Sequence, residues 1–384
     1  MAGDMDSGGV AMKTIVGRSG EDARSDIQIS IEPGSGLEIN SIVDAIYGDA
    51  IRDQVTSAVA ETGKSSLRVS VVDSGALPFV IDARLDVAFA EHFGLPLRDL
   101  PPVSRQVKRE RPRRTRLYIP GNNPKFIVNC GLYGADGIIF DLEDSVAAPD
   151  KKEARALVRR ALANVDLGGS EAMVRVNSGE TGHEDLRVLA NAGVEVFLLP
   201  KTEVAEDVVA ADRILTEAGS DALLLPILET ALGVHFAYDI ARASERVVGI
   251  SIGVEDYVAD ICAKRTAEGT ESVWAHGQVL NSARAAKVSA FASVFAVIDD
   301  AEAMETYARK VADLGFDGVG CIHPGQVAPA HRGFMPAAEE IERARQIVSE
   351  FESADKGAIR VAGEMIDAPI YKRALRTLSR AGER

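Results

Sequence analysis

Several short apolar runs in the chain end in charged side chains of the types that bind metals and anions. The carboxylates at such positions are Asp141, Glu143, Asp144, Glu229, Glu255 and Asp256. Carboxylates without a cluster of histidine or cysteine favour a hard cation with oxygen ligands, so this set predicts Mg²⁺ rather than Zn²⁺.

Basic side chains occur at the same kind of position. Arg114 lies beside the first of these runs, Arg175 lies at the third, and Lys201 follows the fourth. An arginine there can hold a carboxylate or a thioester oxygen with two hydrogen bonds. Lys201 could instead pair with Glu203 as a surface charge, so contact with substrate is one of two interpretations.

The elements that must position these residues are eight apolar runs alternating with amphipathic helical stretches. The predicted strands are 116–119, 137–141, 173–176, 196–199, 223–227, 247–251, 291–297 and 318–322. An eightfold alternation over about 250 residues favours an α/β fold of the (β/α)₈ TIM-barrel type. A doubly wound sheet is less consistent, since no glycine-rich dinucleotide turn follows the first strand. In a barrel the strand ends converge on one mouth, which would gather the charged residues into one site.

The remaining chain divides by composition. Strands at 26–31, 37–40, 67–72 and 79–85, with a helix at 41–61, predict a small α+β domain before the barrel. The expected divisions are a disordered N-terminus (1–13), the α+β domain (14–98), a basic solvated linker (99–113), the barrel (114–336) and a C-terminal helix and lid segment (337–384).

Composition excludes some classes of protein. The 384 residues carry a formal net charge of −15, which argues against nucleic acid as the main partner. No apolar run approaches membrane-spanning length, and residues 1–10 lack the apolar core of a signal peptide, so a cytoplasmic protein is expected. Cys130, Cys262 and Cys321 are odd in number and widely spaced, which predicts reduced core thiols.

Six boxes occur in order between Arg114 and the C-terminus. They are Arg114-x-x-Leu117-Tyr118-x-Pro120-Gly121-x-Asn123, Asp141-Leu-Glu-Asp-Ser-Val146, Leu199-Pro-Lys-Thr-Glu203, Ile227-Leu-Glu229-Thr230, Gly253-Val-Glu-Asp256 and Met365-Ile-Asp367. Together they resemble the citrate lyase β-subunit family, the Mg²⁺-dependent C–C lyases of citryl, malyl and citramalyl thioesters. The boxes are specific to the family and do not distinguish these substrates.

The resemblance implies roles for the metal and the enolate. Glu229 and Asp256 would be the protein ligands of Mg²⁺, which chelates the keto acid and polarises its carbonyl. Arg114 would bind the oxygen that becomes the thioester enolate. The alternative for Glu229 and Asp256 is a carboxylate favoured at a helix N-terminus by the helix dipole.

Three further carboxylates receive roles from the resemblance. Asp367 would close over a neighbouring subunit's site and handle the proton between acetyl thioester and enolate. Glu143 and Asp144 would orient metal-bound water or an arginine. Each has a structural alternative, since Glu143 and Asp144 could cap the following turn and Asp367 could be a turn residue.

The small domain resembles the acyl carrier (γ) subunit of the same citrate lyase system. The resemblance rests on Ser25-Asp26-Ile27, Gly48-Asp49-Ala50-Ile51-Arg52 and Asp73-Ser-Gly75-Ala76. It implies a covalent phosphoribosyl-dephospho-CoA arm on a serine two residues before the aspartate that opens the strand. Arg24 occupies that position here, which leaves Ser25 as the nearest hydroxyl and Ser19 as a second candidate.

These features predict a fused carrier and lyase that cleaves a citryl-type 3-hydroxy-3-carboxyacyl thioester. The products would be an oxaloacetate-like 2-oxo acid and an acyl thioester. One alternative is a malyl-CoA or citramalyl-CoA lyase or thioesterase that uses free CoA. Another is a non-catalytic carrier or scaffold in a larger lyase complex. The resemblance also implies a citrate lyase-type transferase subunit as partner and a homo-oligomer, a trimer or a hexamer.

Overall fold

The computed structural model describes residues 13–64, 66–101, 103, 105–266, 268–354, 358–361 and 364–383. Of the segment expected to be disordered, residues 1–13, all but Lys13 lie outside these ranges. The described chain forms a small mixed α/β domain, an eight-stranded barrel and a C-terminal helical unit. Among its helices, none has the length and apolar content needed to cross a bilayer.

A four-stranded sheet and two helices form the small domain. They are β1 (Thr14–Val16), β2 (Ile27–Pro33), β3 (Gly36–Ser41), α1 (Asp44–Glu61), β4 (Leu67–Asp73) and α2 (Pro78–Phe93). The sheet order is β1-β2-β4-β3, in which β3 and β4 are parallel and the other pairs antiparallel. Ile27, Ile29 and Ile31 alternate along β2 and are fully buried, so the alternation of apolar residues predicted this strand correctly.

The strand predicted at 79–85 was wrong, because these residues form the first half of α2. Pro78 lies in its first turn, and Gly94 ends it with a φ of 67°, a left-handed conformation that glycine adopts at little cost. The helix packs on one side against β2 and on the other against a barrel helix, so almost every residue in its first three turns is buried. Residues 79–85 are mostly apolar, and because Arg84 is buried among them, their pattern does not distinguish a strand from a helix buried on two sides.

Eight parallel strands close into a barrel in which β5 pairs with both β6 and β12, which confirms the predicted fold. The strands are β5 (Thr115–Pro120), β6 (Gly137–Asp141), β7 (Glu171–Arg175), β8 (Val196–Leu199), β9 (Leu223–Leu228), β10 (Gly249–Ile252), β11 (Ser289–Ala292) and β12 (Gly318–Cys321). The run predicted at 291–297 was placed too late, since β11 ends at Ala292.

The helices of the barrel layer surround these strands. They are α3 (Pro124–Ile127), α4 (Lys151–Asn164), α5 (Gly179–Leu189), α6 (Ala205–Glu217), α7 (Ala231–His235), α8 (Ala237–Ala241), α9 (Val254–Asp260), α10 (Val273–Ala285), α11 (Ala301–Leu314) and α12 (Val327–Phe334). Inward-facing residues such as Ile139, Met173 and Leu225 fill the barrel interior, while alternate residues pack against the helices. The strands are apolar at nearly every position because both of their faces are buried.

The described residues of the segment 99–113, which are all except 102 and 104, do not form the solvated linker that their composition predicted. Arg109 donates to two backbone carbonyl oxygens just before β10, at 2.6 and 2.9 Å. Arg113 forms two hydrogen bonds with the carboxylate of Glu171, each 2.7 Å long. Val107 packs against the interior residues of the barrel. The segment therefore crosses the N-terminal end of the barrel and closes it with arginines that have acceptors.

Beyond the barrel, two helices and a hairpin make a separate small core. They are α13 (Ala338–Ser353), β13 (Ala358–Val361), β14 (Glu364–Asp367) and α14 (Ala368–Arg380). Arg376 binds Asp317 at 3.0 Å, and Arg380 donates to the carbonyl oxygen of Ala312 at 3.1 Å. Asp317 immediately precedes β12, so α14 is attached near the N-terminal end of the barrel.

Buried ion pairs fix the small domain to the barrel. Asp86 of α2 is fully buried and accepts hydrogen bonds from Arg160 of α4 and from Arg98, both at 2.7 Å. Arg84 of α2 reaches Glu153 of α4 at 2.9 Å. Because these charges are removed from water at the interface, the two domains are held in one orientation.

The cysteines differ in their environments. Cys130 and Cys321 are buried, as predicted, and burial raises the pKa of Cys130 to about 11 and that of Cys321 to about 12. Both therefore remain thiols of low reactivity at neutral pH. Cys262 is exposed, so its placement in the core was wrong, because it follows the end of α9 at the surface.

We expect Asp86→Asn to lower the free energy of unfolding by about 3–5 kcal/mol, because it leaves the buried guanidinium of Arg160 without a full counter-charge. Urea unfolding followed by circular dichroism measures this change. The matched control is Arg18→Gln, which removes an exposed ion pair with Asp150 and should cost at most about 1 kcal/mol. Equal losses in the two variants would contradict the importance of the buried pair.

Candidate active site

A cavity of about 460 Å³ opens at the C-terminal ends of the barrel strands. The charged residues in its lining are Arg116, Asp141, Asp144, Arg175, Glu229, Glu255 and Asp256. Residues that are far apart in sequence thus meet at one mouth, because six of the seven end or follow a parallel strand there, while Arg116 lies within β5. The structure brings together six of these seven residues as expected from the sequence; Arg116 is the addition.

Arg175 ends β7 and is held by the carboxylates of the neighbouring loop. Its Nε and Nη2 donate to the two carboxylate oxygens of Asp141 at 2.6 and 2.8 Å, and its Nη1 lies 2.9 Å from Glu143 and 3.2 Å from Asp144. Its guanidinium carbon lies 5.2 Å from the ring centre of Tyr118. Burial disfavours the charge, but the hydrogen bonds and charge of Asp141 outweigh burial and raise the pKa of Arg175. The result is a permanently charged arginine in a fixed orientation.

Asp141 also shapes the loop that follows β6. Its carboxylate accepts the backbone N–H groups of Glu143 at 3.0 Å and Ser145 at 3.1 Å. The capping role that sequence reasoning allowed for Glu143 and Asp144 is therefore carried out by Asp141. The side chains of Glu143 and Asp144 are free to contact Arg175 at the mouth instead.

The side chain of Lys201 pairs with Glu143 rather than with Glu203, and neither Lys201 nor Glu143 is part of the cavity lining. Its Nζ lies 2.7 Å from Glu143, and its backbone N–H donates to Glu229, also at 2.7 Å. The hydrogen bond that Lys201 donates to the carboxylate of Glu143 raises the pKa of Lys201. Lys201 has a φ of 48°, a left-handed conformation that is strained for a residue with a side chain. The strain is compensated by the two contacts, which connect the β8 loop to both carboxylates.

Glu229 and Asp256 line the same cavity from adjacent strands. Glu229 follows β9 and is 3% exposed, whereas Asp256 lies in the first turn of α9 and is exposed. Burial, together with the negative charge of Glu143 and then of Asp256, raises the pKa of Glu229 to about 7. A Cβ at Gly253 would lie 2.5 Å from a carboxylate oxygen of Glu229, so only glycine leaves space for that carboxylate.

This donor set fits a magnesium ion. Mg²⁺ in proteins is commonly bound by one or two carboxylates and keeps several waters or substrate oxygens. In the described chain, no group of three or more His, Cys, Asp or Glu residues is arranged as a metal cluster. Glu229 and Asp256 would thus supply two ligands, and the remaining positions would be left to water and substrate.

The structure does not bring Arg114 to the mouth. Arg114 precedes β5, so it lies at the N-terminal end of the barrel, where its Nε and Nη2 bind Asp136 at 2.9 and 3.0 Å. The expectation that it contacts an enolate is therefore corrected. Arg114 was expected at a strand tip, but the sequence does not decide which end of the strand it occupies. Arg175 is the arginine that faces the carboxylates.

Sequence reasoning missed Arg116. It lies within β5, is 1% exposed and lines the cavity together with Tyr118 and Pro120. These three residues alternate along the strand and so share its inward face. An arginine at an inward position of a barrel strand is a signal that the sequence did contain.

Asp367 is absent from the lining of this cavity. It ends β14 and caps α14, where its carboxylate accepts the backbone N–H of Ile370 at 3.3 Å. The idea that Asp367 acts on a neighbouring subunit stays a prediction, since it concerns an assembly of chains.

Both candidate attachment serines lie in one loop of the small domain. Ser25 is half-buried with a φ of 65°, and its N–H donates to the carbonyl oxygen of Ser74 at 3.0 Å. Ser19 is exposed, and its hydroxyl donates to Gln28 at 3.3 Å. Ser19 is therefore the more accessible hydroxyl, while Ser25 has the position closer to that expected.

The same loop is fastened to the rim of the barrel mouth. The N–H of Gly17 donates to Glu153 at 3.0 Å, and Arg18 pairs with Asp150. Asp150 and Glu153 lie at the start of α4, directly after the loop that carries Asp141. Helices of a barrel begin at the end where its active site lies. The loop between β1 and β2 that contains Ser19 and Ser25, called the carrier loop below, is therefore near the mouth.

Comparison with known proteins agrees with this geometry. A family model described as HpcH/HpaI aldolase/citrate lyase matches residues 114–324. The chain belongs to this family. A second, acyl carrier model, described as malonate decarboxylase delta subunit (MdcD), matches residues 16–92. The predicted pairing of a citrate lyase β-like domain with an N-terminal carrier-like domain is confirmed.

Curated relatives in the HpcH/HpaI aldolase/citrate lyase family include lyases with different substrates. The citrate lyase subunit beta of Leuconostoc mesenteroides subsp. cremoris is 37% identical over 71% of this chain and 94% of its own length. The mitochondrial citramalyl-CoA lyase of Homo sapiens is 33% identical over 70% of this chain and 86% of its own. The predicted enzyme class is confirmed, and the chain is a lyase.

Solved structures of the family share the fold. CitE from Mycobacterium tuberculosis in complex with magnesium, acetoacetate and coenzyme A has a TM-score of 0.62 and 30% identity, covering 71% of this chain and 99% of that one. A citrate lyase beta subunit from the same organism, complexed with oxaloacetate and magnesium, has a TM-score of 0.51 and 29% identity, covering 59% of this chain and 98% of that one. Mg²⁺ is thus present in structures of this family.

We expect Mg²⁺ affinity to fall about tenfold per pH unit below about pH 7, because the proton on Glu229 competes with the cation. Calorimetric titration with MgCl₂ between about pH 8 and about pH 5.5 measures this dependence. In Glu229→Gln we expect weaker binding that changes little with pH, whereas the control Glu203→Gln should behave as the native chain.

In the metal-free protein, the raised pKa of Glu229 predicts the direction in which stability changes with pH. A carboxyl whose pKa is raised by folding favours the folded state below its unfolded pKa of about 4.3, and this contribution is lost as pH rises towards about 7. The metal-free native chain should therefore lose more thermal stability than Glu229→Gln over this interval. Parallel melting curves would contradict the assignment.

Proposed function

We propose that the barrel cleaves a citryl-type 3-hydroxy-3-carboxyacyl thioester into a 2-oxo acid and an acyl thioester. The observation that carries this proposal is the common cavity of Glu229, Asp256 and Arg175. A two-carboxylate metal site facing a fixed arginine suits a retro-Claisen reaction, in which one fragment becomes a carbonyl compound and the other an enolate.

The cation and the arginine would divide the developing charge. Glu229 and Asp256 would hold Mg²⁺, which when bound neutralises the acid's carboxylate and polarises the forming carbonyl. The guanidinium of Arg175 is oriented by Asp141 and Glu143, and it would stabilise the negative charge on the enolate oxygen of the thioester. Its Nη2 group, which gives one hydrogen bond to Asp141, keeps a second N–H for that oxygen.

Bond breaking requires two proton transfers. The proton of the 3-hydroxyl group would pass to a carboxylate that lines the cavity and acts as the base, as the C–C electron pair moves to the carbon next to the thioester. The resulting enolate carbon would then take up a proton from an acid. We assign the second transfer to Asp367 of a neighbouring chain, by resemblance to the citrate lyase family. Lys201 would keep Glu143 ionised and so keep Arg175 in place.

Two other functions have specific support. The relatives named citramalyl-CoA lyase and (3S)-malyl-CoA thioesterase favour a lyase or thioesterase that uses free CoA. The carrier-like domain favours a larger complex in which a transferase partner exchanges acyl groups. The carrier loop beside the barrel mouth supports the tethered reaction most directly, because an arm attached there raises the local concentration of the acyl thioester.

Cleavage should depend on the metal site. We expect the native chain with Mg²⁺ to release a 2-oxo acid from a citryl thioester, and Asp256→Asn to reduce kcat/KM by at least about a hundredfold. A coupled assay for the oxo acid measures the rate. The matched control is Asp239→Asn, an exposed aspartate on α8, which should retain native activity. Absence of turnover with citryl, malyl and citramalyl thioesters would favour the scaffold function.

Modification of the carrier can be tested separately. After co-expression with a prosthetic-group transferase, we expect the intact mass to increase by one phosphoribosyl-dephospho-CoA group. Ser25→Ala should abolish the adduct if Ser25 is the acceptor, and Ser19→Ala serves as the paired variant. Loss of the adduct in Ser19→Ala alone would reassign the site, and no adduct in the native chain would contradict a modified carrier.

A further inference from the structure

Arg116 differs from the other buried arginines of the described chain. Arg84, Arg113, Arg155 and Arg160 are also buried, and each forms an ion pair with a carboxylate. Arg116 has no Asp or Glu within ion-pairing distance in the described residues. A buried cation without a counter-charge is costly, so its presence requires a reason.

The hydrogen-bonding capacity of Arg116 is largely unused. Its Nη2 donates to the carbonyl oxygen of Ala292 at 3.3 Å, while Nε and Nη1 are buried without a partner among the described residues. The guanidinium carbon lies 4.3 Å from the ring centre of Phe291, an attractive contact that supplies no conventional acceptor. Burial lowers the pKa of Arg116 only to about 10, so the side chain is still charged at neutral pH.

Uncharged residues of the neighbouring strands line the cavity together with Arg116. Ser251, Ala292 and Gly320 line it at this level, and a Cβ at Gly320 would lie 2.6 Å from Val294. Arg116 also lies deeper in the barrel than Tyr118, since it comes two residues earlier on the same inward face of β5. A carboxylate is a compact anion, smaller than the phosphates of a CoA arm, and it can pair with a guanidinium through two hydrogen bonds.

The substrates of such a reaction differ at one substituent. In the 2-oxo acid product, the oxo oxygen and the adjacent carboxylate would face Glu229 and Asp256. The third group on that carbon is hydrogen for a malyl thioester, methyl for a citramalyl thioester and a carboxymethyl group for a citryl thioester. The carboxymethyl group alone adds a second carboxylate, which matches an unpaired buried arginine.

We propose that Arg116 binds this second carboxylate and thereby selects citryl-type thioesters over malyl and citramalyl thioesters. The inference rests on the proposed function of the same cavity. Arg116 acts in it as a specificity-determining residue, separate from the metal ligands and from Arg175. It also explains why the charge remains in the barrel, because the substrate provides the counter-charge that the chain lacks.

The test compares two oxo acids on the full chain. With MgCl₂ present, freshly dissolved oxaloacetate should bind at least about tenfold more tightly than pyruvate by calorimetry. Arg116→Met should weaken oxaloacetate binding at least about tenfold and change pyruvate binding less than about twofold. Arg116→Lys should retain part of the preference. The control Arg109→Met removes an arginine from the closed end of the barrel and should preserve the preference.

Melting curves keep the inference testable if binding data are ambiguous. Methionine can be buried without a counter-charge, so unliganded Arg116→Met should melt no lower than the native chain, and oxaloacetate should stabilise it no more than pyruvate does. Equal binding of both acids by the native chain, or equal losses for both in Arg116→Met, would overturn the role of Arg116 alone. Metal-independent binding of both acids would instead overturn the proposed function.

Discussion

The ion pair between Asp141 and Arg175 is the interaction on which the barrel mouth depends. The two residues are paired in register at the ends of β6 and β7, and their side chains join through two hydrogen bonds of 2.6 and 2.8 Å. From this pair a chain of contacts continues through Glu143 and Lys201 to Glu229, which follows β9. The loops of four successive strands are thus held together by ion pairs and, between Lys201 and Glu229, by a backbone hydrogen bond. The carboxylates of Glu229 and Asp256 at the end of this network are oxygen ligands of the kind that Mg²⁺ prefers.

The attachment of the small domain has a consequence for how a carrier would work here. Asp86, Arg160 and Arg84 are buried at the interface, so separating the domains would expose or strand charges that are satisfied only when the domains are docked. The described residues of the segment 99–113 also cover the closed end of the barrel, where Arg109 and Arg113 bind acceptors. In the proposed tethered reaction, movement of an acyl group towards the cavity would therefore come from the arm and from the loop with Ser19 and Ser25.

The sequence allowed the barrel to be predicted because parallel strands buried on both faces leave a repeated signal, an apolar run followed by polar residues. It also placed Asp141, Glu229 and Asp256 at one mouth, because the topology of a barrel determines which strand ends meet. Prediction from the sequence failed where tertiary contacts, rather than the local sequence pattern, decide the structure. Helix α2 is buried on two sides and shows no helical period, and the arginines of residues 99–113 find carbonyl and carboxylate acceptors that composition cannot reveal. Arg114 was misplaced because one residue decides whether a side chain lies before a strand or within it.

Arg114 and Arg116 are two residues apart, but they have different environments because Arg114 precedes β5 and Arg116 lies within it. Arg114 lies outside the barrel interior and gains a carboxylate partner, Asp136, whose pKa it helps His331 to depress. Arg116 lies inside and gains only a carbonyl oxygen and an aromatic face. The first arrangement stabilises the fold by itself, whereas the second is unfavourable until an anion arrives. A substrate carboxylate would then be bound by a group that needs no further desolvation, since folding has already removed the guanidinium from water. The free energy lost by burying the Arg116 guanidinium is offset by the stability of the rest of the barrel. The gain in binding free energy is limited to ligands that carry the second carboxylate.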